Sequence, residues 1–440
     1  MQVSAVRQAI NTSRLSRFQI ATIIVCALLN VMDGFDIMAM VFTATAITST
    51  WKIGGTQLGL LLSAGMLGMA VGSVLITPLS DRFGRRRIVV LSLVLIAGGM
   101  FFSAHASGFN DMALARVATG LGVGGLIPSL SVIVAEFSSD KWRGGAVSFM
   151  GVGYTLGAVL GGIAANALIS GYGWRAVFLA GAYGTCALIL VVLVWLPESV
   201  DFLITRRPAN ALARLNRLLR AMRLPAMAEL PERDAAAKKA GMRALLSPAL
   251  LPATVMLWAV SFLVLLSTYF VVSWTPRLLA LSGLSESQSI TGGVLLNAGG
   301  LLGCLLFGWL ASRMSFKVVT LAYFLIGTAS LALFSVVHHD LSIAFPLTTL
   351  IGVCLFGAIA GINTLAPSLY DASARGTGVG LATGIGRLGG ILSPALTGFM
   401  VDAGHPISGL YLVYCVPLLA GAAVMWWMRR IPSSMTTARA

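Results

Sequence analysis

Charge is scarce in this sequence. Only 10% of its 440 residues are charged, against about 25% in an ordinary soluble domain. Acidic residues are scarcest, with 15 Asp and Glu beside 30 Lys and Arg. The five cysteines (Cys26, Cys186, Cys304, Cys354 and Cys415) stand singly inside apolar runs and form no C-x-x-C. That argues against a disulfide framework or a thiolate metal site and for ordinary buried thiols. The four histidines (His105, His338, His339 and His405) make no ligand cluster, and there is no G-x-x-x-x-G-K-S/T phosphate loop. Neither a metal nor direct use of ATP is expected, and no cofactor is called for. No small-residue cleavage site follows the first apolar run, which therefore reads as an uncleaved span rather than a signal peptide. Long polar stretches are missing too, except for one at residues 197–249.

Apolar sequence fills the rest, at 57% of the chain. So much apolar surface does not fit inside one aqueous core. A spanning helix needs about 20 mostly apolar residues. Twelve runs qualify: 18–42, 58–77, 88–106, 112–135, 146–169, 176–196, 250–274, 290–310, 318–337, 341–369, 378–401 and 410–428. With the N-terminus inside, 25 of the 30 basic residues fall on the cytoplasmic side. Only Lys52, Arg175 and Arg277 fall in outer loops, while Arg116 and Arg387 lie within spans. The positive-inside rule demands this asymmetry, so the net charge of +15 is a topology signal and nucleic acid is not an expected partner.

These runs divide the chain into a cytoplasmic tail (1–17), a six-helix half (18–196), a cytoplasmic loop (197–249), a second six-helix half (250–428) and a cytoplasmic tail (429–440). Within the loop, residues 210–223 are expected to form an amphipathic helix on the inner membrane face. The halves echo each other. Gly68 and Gly72 recur 231 residues later as Gly299 and Gly303. Gly120, Arg143 and Gly157 recur at an offset of 232 as Gly352, Arg375 and Gly389. Duplicated halves with a solute site between them are the plan of many secondary transporters.

PLSDRFGRRR (residues 78–87) closely resembles the loop between spans 2 and 3 of the major facilitator superfamily, although Thr77 stands where that loop usually has Gly. RVATGLGVGG (116–125) resembles the family's fourth-helix pattern of Arg and spaced glycines. GYTLGAVLGG (153–162) resembles its fifth-helix glycine pattern without the usual Pro. DGFD (33–36), LPESVDFL (196–203) and RGTGVGLATGIGRLGGILSP (375–394) together look like the aromatic acid:proton symporter branch. The resemblance implies an all-α integral membrane protein of twelve transmembrane helices in two pseudo-symmetric six-helix halves, not an enzyme. Its partners would be a small aromatic carboxylate, protons and the lipid of the inner membrane, and it would work as a monomer.

Residue chemistry gives this outline content. Asp33 and Asp36 lie mid-span, where each carboxylate costs about 2.5–3.5 kcal/mol on insertion scales. Their i,i+3 spacing puts them on one helical face, and burial with mutual repulsion favours keeping a proton there. The alternative is a pair near a helix end or a mutually hydrogen-bonded pair. Arg116 comes to a similar depth, so Asp33 or Asp36 with Arg116 is the expected proton-coupling unit; snorkelling to the outer interface is the other role open to Arg116. Arg387 lies near midplane without an acidic residue in its own span and offers a two-pronged donor to a solute carboxylate. Its alternative partner is Asp33 or Asp36. Family patterns also suggest that Asn30, Tyr154, Tyr269, Trp274 and Asn363 line the cavity. Asp81, Arg82, Gly84, Glu136, Arg143 and Arg375 would form a cytoplasmic gate, or else serve as solvated loop charge. The expected function is import of a benzoate-type acid with a proton by alternating access. The alternatives are a proton-driven drug exporter or a carrier of non-aromatic organic acids.

Overall fold

The structure is a computed structural model that describes residues 2–13, 15–230, 245–248, 250–370 and 372–429. The tail at 430–440 and the loop segment at 231–244 lie outside the described residues. Among the described residues every regular element is a helix: α1 (Gln2–Thr12), α2 (Arg17–Trp51), α3 (Gly55–Leu75), α4 (Thr77–Phe83), α5 (Arg85–His105), α6 (Phe109–Glu136), α7 (Asp140–Tyr172) and α8 (Trp174–Trp195). After these come α9 (Val200–Arg206), α10 (Ala211–Ala221), α11 (Leu251–Leu281), α12 (Glu286–Ala311), α13 (Phe316–Val337), α14 (Leu341–Ser368), α15 (Ala372–Asp402) and α16 (Ile407–Arg429). Among the described residues, twelve segments are long and apolar enough to cross a membrane, with α3 and α4 counting together as one. Large apolar side chains remain on the outside, such as Val194 at 76% exposed and Phe399 at 64%. A lipid surround explains that exposure.

Several helices outrun their apolar cores. α2 has 35 residues, about 52 Å at 1.5 Å per residue, because no breaker follows Thr43 until Gly54. The helix ends follow local chemistry. Ser285 and Gln288 form a reciprocal capping box at the start of α12. Asp340 caps α14 by accepting the Ser342 N–H at 2.9 Å. Gly84, at φ +103°, ends α4 and starts α5 in a backbone conformation that other residues resist.

By proximity the chain forms two compact units. The first comprises residues 1–39, 67–161 and 168–236; the second comprises 40–66, 162–167 and 237–440. Within the first unit α2 and α7 cross almost backbone to backbone. A Cβ on Gly157 would come within 1.8 Å of the Val31 carbonyl oxygen, and one on Gly34 within 2.0 Å of the Tyr154 oxygen. Gly68 and Gly72 likewise press on the carbonyls of Val117 and Leu121. The second unit repeats that contact: Gly299 and Gly303 press on the carbonyls of Thr349 and Val353. The sequence repeat is thus a repeat of helix-to-helix approach.

α10 corrects one expectation. Its apolar side (Ala211, Leu215 and Leu219) is buried within the first unit, packed on α9, instead of facing lipid. Within the N-terminal tail, α1 is a helix, with Val6 and Ile10 only 4% and 2% exposed.

Candidate functional site

In the first unit, α2 carries Asn30, Asp33 and Asp36 at 5%, 2% and 0% exposure. The α2–α7 approach at Gly34 and Gly157 brings the two backbones into direct contact beside this stretch. Asn30 donates to the Met150 carbonyl at 2.6 Å. Arg116, on α6, is 4% exposed and does not snorkel. One of its NH groups donates to Asp36 Oδ1 at 3.2 Å, and the other donates to the Asp36 backbone carbonyl at 3.3 Å. Asp36 Oδ2 is buried and has no hydrogen-bond donor among the described residues. A carboxylate so placed has one oxygen tied to a permanent cation and one able to take a proton. Protonation would weaken the tie to Arg116, which is the elementary step of a proton-linked switch. Tyr154 is half-buried on α7, its backbone carbonyl pressed by Gly34.

At the end of this unit that bears the N-terminus, Glu136 closes α6 at 5% exposure. It accepts the Ser199 hydroxyl and the Val200 N–H, both at 2.9 Å. Its cationic partner is Arg85, at 3.2 Å, rather than Arg82. Arg82 lies over the Phe83 ring at 5.4 Å, and Asp81 is exposed and pairs with Arg85 one turn away at 3.4 Å. Glu198, in the LPES segment, receives the backbone N–H groups of Arg86 and Ser199 at 3.1 and 3.0 Å. A Cβ on Gly84 would meet that carboxylate at 2.6 Å, so glycine is required there on two counts. α1 joins the same cluster. Arg7 donates to the carbonyls of Ala135 and Glu136 at 3.1 and 3.3 Å, filling acceptors left open at the C-terminus of α6. Arg143 pairs with Asp140.

The second unit holds a cavity of about 200 Å³ between α11, α14 and α15. Val264, Leu265, Ile359, Ile362 and Val379 supply apolar wall, Tyr269 an aromatic face, and Ser261, Asn363 and Thr383 polar atoms. Arg387 is the one permanently charged residue in the lining, and it makes no ion pair among the described residues. Thr383 precedes it by one turn on the same face and donates its hydroxyl to the Val379 carbonyl at 2.9 Å, so its oxygen is left to accept. Trp274 is no part of this lining. It is 1% exposed and donates its indole N–H to the Pro394 carbonyl at 3.1 Å, bracing α11 on α15. Arg375 is exposed and donates to the Pro367 carbonyl at 3.1 Å.

Comparison with known proteins fits this architecture. The Major Facilitator Superfamily pattern matches residues 26–394. The chain belongs to that superfamily. Its members are transporters, and this multi-pass membrane protein is a transporter rather than an enzyme. It is 32% identical to the 4-hydroxybenzoate transporter PcaK of Pseudomonas putida, over 88% of this chain and 87% of the relative. It is 31% identical to a gallate transporter of Pseudomonas putida, over 95% and 93%. A solved bacterial homologue of the human lysosomal transporter Spinster, inward-facing and unoccupied, superimposes with a TM-score of 0.74 at 19% identity, covering 94% of this chain and 97% of that one.

Proposed function

We propose that this superfamily member imports a small aromatic carboxylate together with a proton by alternating access, as a monomer of the inner membrane with both termini cytoplasmic. The observation that carries the proposal is the Arg387 cavity: a fixed cation on a mostly apolar wall with one aromatic face and a few polar groups. An aromatic ring with a single carboxylate complements that lining, whereas a neutral or cationic drug would leave Arg387 unanswered. The names of the relatives, which handle 4-hydroxybenzoate and gallate, support the same class. Asn363 and Thr383 suit a ring hydroxyl. Asp36 with Arg116, and Asp33 beside them, carry the proton. Residues 18–196 and 250–428 act as the two halves that alternate, with the Glu136–Arg85 cluster as a gate on the cytoplasmic side. Arg143 and Arg375 belong to the margin of that gate.

The test is uptake of radiolabelled 4-hydroxybenzoate into proteoliposomes, with the pH gradient and the membrane potential imposed separately. An acid exterior is expected to drive accumulation. Uptake indifferent to both gradients would exclude symport, and the absence of saturable uptake of any benzoate would exclude the substrate class.

A further inference from the structure

Within the second unit, the first half of α3 runs against the last half of α15 with almost nothing between their backbones. A Cβ on Gly59 would come within 2.3 Å of the Pro394 carbonyl oxygen, and one on Gly398 within 2.2 Å of the Gly55 oxygen. Ser63 donates its hydroxyl to the Ile391 carbonyl at 2.7 Å. Positions 55, 59 and 63 (Gly, Gly and Ser) therefore meet positions 398, 394 and 391 (Gly, Pro and Ile) in an antiparallel seam of close backbone approach. Asp402 closes the seam. Its Oδ1 accepts the Gly55 N–H at 2.6 Å, and its Oδ2 accepts the Thr56 N–H at 2.7 Å. The first turn of a helix has orphan donors that a nearby Asp, Asn, Ser or Thr usually fills. Gly54, just ahead of α3, has no side chain to do so, and the cap comes instead from 347 residues away. A carboxylate at that position also sits at the positive end of the helix dipole.

We propose that Asp402 is a latch: its carboxylate holds the ends of α3 and α15 together in the present state and releases them in each transport cycle. With three glycines and a serine among its six facing positions, the seam buries less side-chain surface than an ordinary apolar helix interface, and the polar bonds across it carry a larger share of the closure. α3 lies in the first half of the sequence and α15 in the second. The seam is at the end opposite the termini, so on the topology proposed above Asp402 guards the outer entrance.

Hydrogen–deuterium exchange on the purified full-length protein tests this without any substrate, so its outcome stands apart from the substrate assignment. In Asp402→Ala, the amides of Gly55 and Thr56 should exchange at least about tenfold faster, the factor carried by one charge-assisted hydrogen bond. The faster exchange should spread towards Ser63 and leave α6 unchanged. Asp402→Asn, which keeps the size and one acceptor, should fall between and covers the case of a poorly folded alanine variant. Opening the latch also enlarges the population that accepts solute from outside, so the external KM for 4-hydroxybenzoate should fall while maximal uptake does not rise in step. A structural defect alone would lower maximal uptake at constant KM. Unchanged exchange at Gly55 and Thr56 would overturn the latch, and faster exchange with an unchanged KM would reduce Asp402 to a helix cap with no part in the cycle.

Discussion

In the first unit Asp36 and Arg116 answer each other at 3.2 Å, with 0% and 4% exposure. In the second, Arg387 stands on a cavity wall with no carboxylate in its lining. Both arginines are permanent cations in membrane-spanning helices, yet one is neutralised by the protein and the other is left for something else to neutralise. A buried ion pair built into the scaffold is costly to desolvate and often weaker than an apolar replacement. Its retention is better explained by a role in which the pair must break. A cavity cation without a protein partner is explained by a ligand that arrives with the opposite charge. On the function proposed above, the contrast divides the work: proton handling in the first unit, anion binding in the second.

The sharpest way to break this division is Asp36→Asn. It removes the titratable oxygen and takes from Arg116 the carboxylate it pairs with, a change that costs about 3–5 kcal/mol when one partner of a buried pair is lost. Proton-driven accumulation should disappear, while exchange of labelled for unlabelled solute, which needs no net proton movement, should survive in the protein that folds. Accumulation that persisted at the wild-type level would remove Asp36 from the coupling and leave Asp33 as the candidate.

Arg387→Ala comes next. Losing a charged two-pronged contact to a carboxylate should weaken uptake by about 100-fold, equivalent to about 3 kcal/mol. Arg387→Lys should recover no more than about a tenth of the activity, since it restores the charge but not the planar fork. Full recovery with lysine would mean that Arg387 acts as a field and not as a contact. The test on the first unit is Arg116→Lys, measured by the same two assays: a defect in accumulation with exchange preserved would keep the two arginines functionally apart.

A smaller effect is expected at Glu136→Gln. The amide oxygen still accepts one of the two bonds from Ser199 and Val200, but the charge facing Arg85 is gone. Maximal uptake should fall roughly tenfold, the worth of one charge-assisted hydrogen bond, with little change in external KM. A change in KM without one in maximal rate would move Glu136 from gate to solute path.

The sequence carried the membrane spans clearly because hydropathy is a local property: each apolar run announces its helix without reference to any partner. The Asp36–Arg116 meeting was also within reach, since rise per residue sets depth and two charges at one depth invite pairing. Partner choice at the gate was not. Arg82, Arg85, Arg86 and Arg87 are chemically alike, and the one that faces Glu136 depends on the turn at Gly84, whose φ of +103° re-aims the chain between α4 and α5. α1 was hidden for a similar reason, because its contacts lie about 129 residues away at Asp140 and Glu136. Nothing in the sequence marks Asp402 out, and its capping of Gly55 is visible only in three dimensions. Glycine ahead of α3, with no capping side chain of its own, was the one sequence sign that a cap had to come from elsewhere. Trp274 shows the opposite error: an aromatic residue suited to a cavity is spent on bracing α11 against α15.

The division between the units also says where acid should have little effect on transport. His338 lies in the second unit just beyond α13, 5% exposed, with Nδ1 at 3.1 Å from the Ser335 carbonyl and its ring 3.9 Å from that of His339. Burial first, and then the neighbouring His339, push its imidazole below the ordinary value of 6.5. The unfolded chain thus takes up this proton more readily than the folded one, so His338 costs stability progressively as the pH falls through about 6.5 and costs nothing well above it. His338→Asn should flatten the acid side of a thermal-stability profile by a degree or so, on the order of what a few tenths of a kcal/mol produces in a chain of this size. The pH dependence of uptake should stay as in the wild type, because the coupling proton is assigned to the first unit. An uptake profile that moved with this substitution would mean that protons enter the cycle through the second unit as well, and the separation of roles between Asp36 and Arg387 would fail.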